Sequence, residues 1–387
     1  MGNTKSEDIV SKINVNVFFR EFTFSKNDFK ALDTNQQLEF ADNVVWLDEL
    51  FFIYQIKDRE SNSVNDIKWF DNKVLNKGVK QIKSTLKYIS TYPEILIENE
   101  KGHKLDITQA RKCKRIRKII IYTPTIDFPE EKRNIKFYES SEVGLIHLFH
   151  SEDYYWICKY LLTPSEVDEY LGFREDFYLA NEQTCNVLPE QYFLGHFLET
   201  LDTDHFNPKY ISNLKNEPVE IEKFDISFLI ENFTKGITLL KYQTEYYSII
   251  KEISKLNRSE LYEFKARFLK AIQKCDQEEI VLSYRIFVPR TNCGFIFIPL
   301  HHSKSVFWKT ALENFSLAHK YDQKTKKCVG VVVFKSEKEN EYVQLYWSFI
   351  EGDWIYEEEP EKLIANDYPF RKVSTKRIEN RYKKNNI

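Results

Sequence analysis

Three side chains that could share one piece of chemistry sit close together in an otherwise apolar stretch: Asp42, Gln55 and Lys57. Residues two apart on a strand point the same way, so Gln55 and Lys57 share a face. Asp42 opens the preceding apolar run and can lie beside them. The Asp42 carboxylate, the Gln55 amide oxygen and the main-chain carbonyl of Ile56 are hard oxygen donors of the kind that Mg2+ or Mn2+ takes. A lysine next to them would hold an attacking water and offset the charge that builds on a phosphate. The chemistry this set suits is metal-assisted phosphodiester cleavage.

Two strands must position these groups. Residues 44–47 are a short apolar run, Asp48 and Glu49 make a tight turn, and residues 50–56 form a longer run. Both runs are rich in aromatic and β-branched residues, which at this length predicts strands. The longer one is apolar at nearly every position, as in a central strand buried on both faces. Such a strand has no packing reason to end in an amide and an ammonium. After the polar residues 61–66, residues 71–90 predict a helix. Leu75, Val79, Ile82, Leu86 and Ile89 form its stripe, while Lys73, Lys77, Lys80, Lys83 and Lys87 take the remaining surface with Gln81. No acidic residue falls between Lys73 and Ser90. Beside the Gln55/Lys57 strand, Lys73, Lys77 and Lys80 would face a phosphate backbone. A solvated polar face is the plainer reading of the same lysines.

Asp42 and the run Gln55-Ile56-Lys57 resemble the motif of the PD-(D/E)xK nuclease superfamily. The likeness is closest to its Mrr-like restriction endonuclease branch, where the third-strand motif often reads Gln-x-Lys. It covers roughly residues 5–125, about a third of the chain. The resemblance implies a restriction-endonuclease-like α/β domain, DNA as substrate and a role in bacterial defence against foreign DNA. It implies Asp42 as the metal aspartate, Gln55 as the second ligand position and Lys57 as the catalytic lysine. Gln81, on the following helix, would reach the scissile phosphate or a water. The pattern often places a glutamate on the first helix near the metal; Glu7 is the candidate, with Glu21 and Glu39 as others. Restriction-type cutters often act as dimers, which would pair two sites on two strands. Ala41 stands where the pattern has proline. Gln55, being neutral, holds a metal less strongly than a carboxylate, which fits one metal ion better than two.

Around this core, Ser6 is placed to cap a first helix with Glu7 and Asp8 in its first turn and Ile9, Ile13, Val17 and Phe18 on one face. Residues 22–30 and 33–37 read as connection leading to the hairpin. Residues 95–98 and 103–107 predict a hairpin. A basic run from Arg111 to Lys118 leads into the apolar residues 119–123, which makes Arg111 and Arg115 candidates for nucleic-acid contact. His147 and His150, three apart on a strand predicted over 144–150, point to opposite faces, which argues against a metal pair. Thr163-Pro164-Ser165-Glu166 starts a helix. His196, Asp202, Asp204 and His205 read as a capping loop rather than a metal cluster.

Further on, residues 228–240 predict one long helix, and Asn257 with Glu260 caps another whose stripe is Leu261, Phe264 and Phe268. Strands over 283–288, 294–299, 329–334 and 342–349 with a helix over 305–321 give the order β-β-α-β-β, a small α+β module in which no metal cluster is read. The expected division is a nuclease domain over 1–180, a helical connector over 181–280, and a recognition or sensor module with a basic tail over 281–387.

Composition limits the rest. Of the 387 residues 42% are hydrophobic, enough for filled cores, and a net charge of −3 excludes a uniformly basic surface, so nucleic acid would be held by local patches. The six cysteines form no CxxC pair, which argues against a zinc ribbon or a redox dithiol. With no apolar leader and no run of about 20 apolar residues, the expectation is a soluble cytoplasmic protein with no membrane partner. The leading expectation is a Mg2+- or Mn2+-dependent endodeoxyribonuclease, with RNA as an open alternative substrate. The rival is a non-catalytic nucleic-acid-binding module, or an interaction subunit of a defence assembly, on the same fold.

Overall fold

The computed structural model describes residues 5–31, 36–59, 65–216, 223, 225–233, 242–277, 282–335, 343–366 and 368–371. The chain is a mixed α/β protein that divides near 217/218 into two compact units. The expected connector therefore splits, with its first part in the first unit and its remainder in the second. Among the described residues no helix is long and apolar enough to cross a membrane.

The first unit opens with α1 (Lys5–Phe18), β1 (Thr23–Phe24), β2 (Asp28–Lys30), β3 (Gln37–Glu39), β4 (Asn43–Leu47) and β5 (Leu50–Asp58). A helical stretch follows as α2 (Asp66–Trp69), a π-helical segment (Phe70–Lys77) and α3 (Gly78–Thr91). Next come β6 (Leu96–Glu98), β7 (Lys104–Asp106), β8 (Arg115–Thr123), α4 (Glu130–Arg133), β9 (Phe137–Ser140) and β10 (Gly144–His150). The unit closes with α5 (Ser151–Leu161), α6 (Pro164–Ala180), α7 (Glu182–Cys185) and α8 (Glu190–Glu199). Its main sheet has the order β1-β4-β5-β8-β10-β9. β4 and β5 form the predicted hairpin, paired from Asn43↔Tyr54 to Leu47↔Leu50, and β5 runs parallel to β8.

Alternation along β5 divides the core in two. Phe52, Tyr54 and Ile56 pack with Val10, Val17 and Phe18 of α1 and with residues of α5, α6 and α8. Phe51 and Ile53 face the other way, against Phe70, Val74, Val79, Ile82 and Ile89. A strand clothed on both faces is apolar at both parities, which is why its sequence shows a run rather than an alternation.

Several expectations shift in detail. In α1 the buried residues are Ser6, Val10, Asn14, Val17 and Phe18, one step round from the expected stripe, and Ile9 is 44% exposed. Asn14 turns inward because it has a partner there: its Nδ2 donates to Asn43 Oδ1 at 2.7 Å, and Tyr154 donates to its Oδ1 at 2.6 Å. Ser6 lies inside the helix, where its N–H donates to Asp58 Oδ2 at 3.1 Å and its hydroxyl meets Thr123 Oγ1 at 2.9 Å. The start of α1 is thereby tied to the C-terminal ends of β5 and β8. The segment read as connection holds β1, which pairs with β4, and the β2–β3 ladder. The basic helix begins earlier than expected and contains the π-helical segment, whose extra residue per turn re-aims the buried face from Phe70 and Val74 to Val79 and Ile82. Gly78 lets the helix lie against β8, since a Cβ there would come within 2.7 Å of Ile120 Cδ1.

The second unit holds α9 (Ser227–Asn232), α10 (Tyr247–Ser254), α11 (Arg258–Lys274), β11 (Tyr284–Val288), β12 (Cys293–Pro299), α12 (Trp308–Asp322), β13 (Lys327–Lys335), β14 (Val343–Glu351) and α13 (Glu358–Asn366). Residues 234–241 of the predicted long helix and residues 372–387 of the basic tail lie outside the described residues. The sheet order is β11-β12-β13-β14, with β12 and β13 parallel and the outer pairs antiparallel. Asn257 and Glu260 form the expected capping box on α11. Phe264 of that helix packs edge-on against Phe295 and Phe297, and Leu312 of α12 joins Ile296 and Ile298 on the opposite face.

Candidate active site

The β4–β5 hairpin and the crossover helix meet at the C-terminal end of β5. Asp42 immediately precedes β4 and lies level with Gln55, one step beyond the Asn43↔Tyr54 pair. Gln55 and Lys57 share the parity of Phe51 and Ile53, so they face the helical stretch rather than α1. Lys57 Nζ lies 2.9 Å from Asp42 Oδ2, 3.2 Å from Gln55 Oε1 and 2.9 Å from the Ile56 carbonyl oxygen. The Ile56 N–H donates to the same Asp42 oxygen at 2.5 Å, which fixes the carboxylate against the strand. Gln55 is 1% exposed and Lys57 8%. An ammonium at that depth costs several kcal/mol of desolvation unless it is well paired, and here three oxygens converge on it.

That convergence tests whether a divalent ion fits. The lysine ammonium acts as a stand-in cation: it marks a point reached at once by a carboxylate oxygen, an amide oxygen and a main-chain carbonyl. All three are hard donors, the set that Mg2+ and Mn2+ prefer. The residues present fit the group.

A second carboxylate stands beside them. Glu39 ends β3 directly opposite Asp28 of β2, and like charges at such a cross-strand position repel. Glu39 is exposed, yet partial desolvation, then the nearby charges of Asp42, Asp28 and Glu7, raise its pKa above the ordinary value, while Lys57 opposes the rise. Asp42 and Glu7 thus both lie close enough to Glu39 for their charges to act on it. Glu21 does not join it: it is buried and pairs with Lys101 at 3.5 Å.

Gln81 sits on the wall facing this end of β5. One turn further along α3, the Thr85 hydroxyl donates to the Phe40 carbonyl, two residues before Asp42. The Gln81 Oε1 atom is buried and has no hydrogen-bond partner. Lys73, Lys77 and Lys80 are exposed along the same helical stretch, as expected, whereas Lys83 pairs with Glu142.

The arginines fall elsewhere. Arg115 pairs with Leu50 at the far end of the β5–β8 ladder, whereas Lys57 pairs with Tyr122. Seven residues of strand, about 23 Å, separate the two levels. Arg115 is also engaged by Asp168 of α6, and Arg111 lies on the short 3-10 turn before β8. Neither is brought to the candidate site.

His147 is buried against Glu175 at 2.9 Å and Arg174, and His150 caps α5, so the pair is structural as expected. His196 meets the Asp202 carbonyl oxygen at 2.7 Å, and Asp202 caps the turn at Asp204 and His205. The sequence reading missed one cluster in the second unit, Asp276 with His301 and His302. The His-His dipeptide was visible at the end of a predicted strand; its acidic partner lies in another element. No family model, no curated protein and no solved structure matches this chain.

Proposed function

We propose that the first unit is a metal-dependent phosphodiesterase that cleaves DNA, built on a restriction-endonuclease-like core of the PD-(D/E)xK kind. The observation that carries this reading is the convergence of Asp42, Gln55 and the Ile56 carbonyl on Lys57 at the end of a central strand. The chain path supports it: a helix, an antiparallel strand, a hairpin, a crossover helix and a parallel strand, in the order α1, β1, β4, β5, α3 and β8.

Asp42, Gln55 Oε1 and the Ile56 carbonyl would hold Mg2+ or Mn2+, which when bound supplies Lewis-acid polarisation of the phosphate oxygens. Lys57, whose ammonium holds the point where these three oxygens meet, would turn from them to donate to the attacking water and to a non-bridging phosphate oxygen, offsetting charge where it grows in the transition state. Glu39, whose charge interacts with Asp42 and Lys57, would exchange a proton with that water. Gln81 would accept from the same water through its unpartnered Oε1, or donate its amide N–H to the scissile phosphate. Lys73, Lys77 and Lys80 hold the flanking backbone, a contribution that weakens with salt. A role in bacterial defence against foreign DNA, with two copies cutting two strands, rests on the resemblance of the motif alone.

The test is cleavage of supercoiled and linear DNA in Mg2+ or Mn2+ by the wild type, Asp42→Ala and Lys57→Ala, each checked for folding by circular dichroism. Cutting by the wild type that is lost in both variants is the expected result. Equal cutting by all three overturns the site assignment. The neutral Gln55 favours a second reading, a nucleic-acid-binding module that does not cut. DNA binding that survives Lys57→Ala, with no cleavage in either metal, selects that reading.

A further inference from the structure

We propose that the second unit carries its own transition-metal site, made by Asp276, His301 and His302 and selective for a Zn2+-class dication. The inference is independent of the nuclease reading, because none of the three residues belongs to the first unit.

The three ligand atoms lie within 4.8 Å of one another. They arrive from two separate segments. Asp276 stands two residues beyond the end of α11, and His301 and His302 follow β12 after Leu300. Lys335, the last residue of β13, reaches the same carboxylate. The cluster therefore lies off the C-terminal ends of two parallel strands, the edge at which open α/β sheets gather ligands.

The carboxylate is divided between two neighbours. Lys335 Nζ takes Asp276 Oδ2 at 3.0 Å, and Oδ1 faces His302 Nδ1 at 3.5 Å. Oδ1 is thus the oxygen turned toward the imidazoles, while Lys335 orients the carboxylate from behind. His301 Nδ1 lies 2.8 Å from the Ser303 hydroxyl. Nδ1 also accepts from the Ser303 N–H at 3.3 Å, so the neutral ring keeps its proton on Nε2, and ligation through Nε2 would move that proton to Nδ1, where the Ser303 hydroxyl can accept it. The His301 and His302 rings are 3.9 Å apart between centroids.

Two imidazoles and one carboxylate suit Zn2+, Co2+ or Ni2+ and not Mg2+, whose preference is for oxygen alone. Three protein donors leave a fourth position, and the exposure of Asp276 opens it to solvent. A bound ion would tie the end of α11 to the end of β12, so binding would add to the stability of the second unit.

The experiment is a titration of the full-length chain, without an affinity tag, with Zn2+ by calorimetry and with Co2+ by visible absorption. It is run also in the Asp42→Ala background, so that ions at the hairpin site are not counted. One equivalent of Zn2+, visible Co2+ bands and a rise in melting temperature are expected, all unchanged by Asp42→Ala. Asp276→Asn and His302→Ala are expected to weaken binding by at least about tenfold. DNA cleavage in Mg2+ by these two variants is expected to stay at the wild-type level, so failure here and failure of the nuclease reading are separable. No saturable Zn2+ binding by the wild type, or wild-type affinity in both variants, overturns the proposal.

Discussion

Both units run a hairpin into a crossover helix and then a strand parallel to the second hairpin strand: β4, β5, α3 and β8 in one, β11, β12, α12 and β13 in the other. The two strand ladders can be aligned from the last hairpin pair, Asn43↔Tyr54 with Tyr284↔Phe297. Gln55 and Lys57 correspond to Ile298 and Leu300, which also face the crossover helix, and Asp42 corresponds to Ser283. In the second unit Ile298 and Leu300 pack with Leu312 and Trp308, so that face of the strand is apolar, and the Asp276, His301 and His302 cluster lies beyond the strand's end. In the first unit the same place holds a carboxylate, an amide and an ammonium. A hairpin and crossover of this kind does not require polar groups at that end to be stable. Their presence in the first unit is a departure from the packing optimum, which is where function is expected to be found.

The comparison can be broken by exchanging the chemistry. Asp42→Ser, Gln55→Ile and Lys57→Leu together give the first unit the residues of the second. We expect DNA cleavage to fall by about a thousandfold or more, the scale seen when groups that stabilise transition-state charge are removed. The melting temperature should hold or rise, since replacing a buried ion pair with packed apolar groups is neutral or stabilising by about 1–4 kcal/mol. A triple variant that cuts like the wild type would end the nuclease reading. Lys57→Leu alone is a different matter, because it strands the Asp42 carboxylate; a loss of about 3–5 kcal/mol in a denaturant titration is expected.

Acid should weaken both units alike. Burial, then Arg174, lowers the pKa of His147 to about 4, and burial, then Arg285, does the same for His319. The folded form refuses a proton that the unfolded chain takes near pH 6.5, so this contribution is present at neutral pH and is lost as pH falls from about 6.5 toward 4. Each histidine should cost on the order of 2 kcal/mol of stability by pH 5, read as a lower melting temperature than at pH 7. A flat profile over that range would show that these rings are not held neutral. The smallest effect tests the odd ligand. Gln55→Glu adds a charge to the donor set and should lower the Mg2+ concentration for half-maximal cleavage by about tenfold. An unchanged Mg2+ requirement would mean that residue 55 does not touch the ion.

Much of the first unit was legible because its signals are local. The hairpin follows from two apolar runs around Asp48 and Glu49, and the shared face of Gln55 and Lys57 from strand parity alone. Capping at Thr163 and Asn257 needs only neighbours in sequence. What escaped depends on distant partners. The inward turn of Asn14 needs Asn43 and Tyr154, and the π-helical segment depends on how Phe70 and Val74 meet the sheet. The division near 217/218 depends on which cores the middle helices join. Arg115 read as a nucleic-acid contact because a basic run precedes a strand; pairing with Asp168 and the direction of β8 put it at the other end of the sheet.

By itself the sequence determined that residues 44–47 and 50–56 form a hairpin, with the Gln55 amide and the Lys57 ammonium on one face, because strand period and apolar content depend only on near neighbours. Tertiary structure alone decided that Asp42 and the Ile56 carbonyl close on that ammonium, that Glu39 faces Asp28 and feels Asp42 and Glu7, and that Asp276 meets His301 and His302. Charges and ligand atoms interact through space over a few ångströms, and only the folded chain sets which of them come that close.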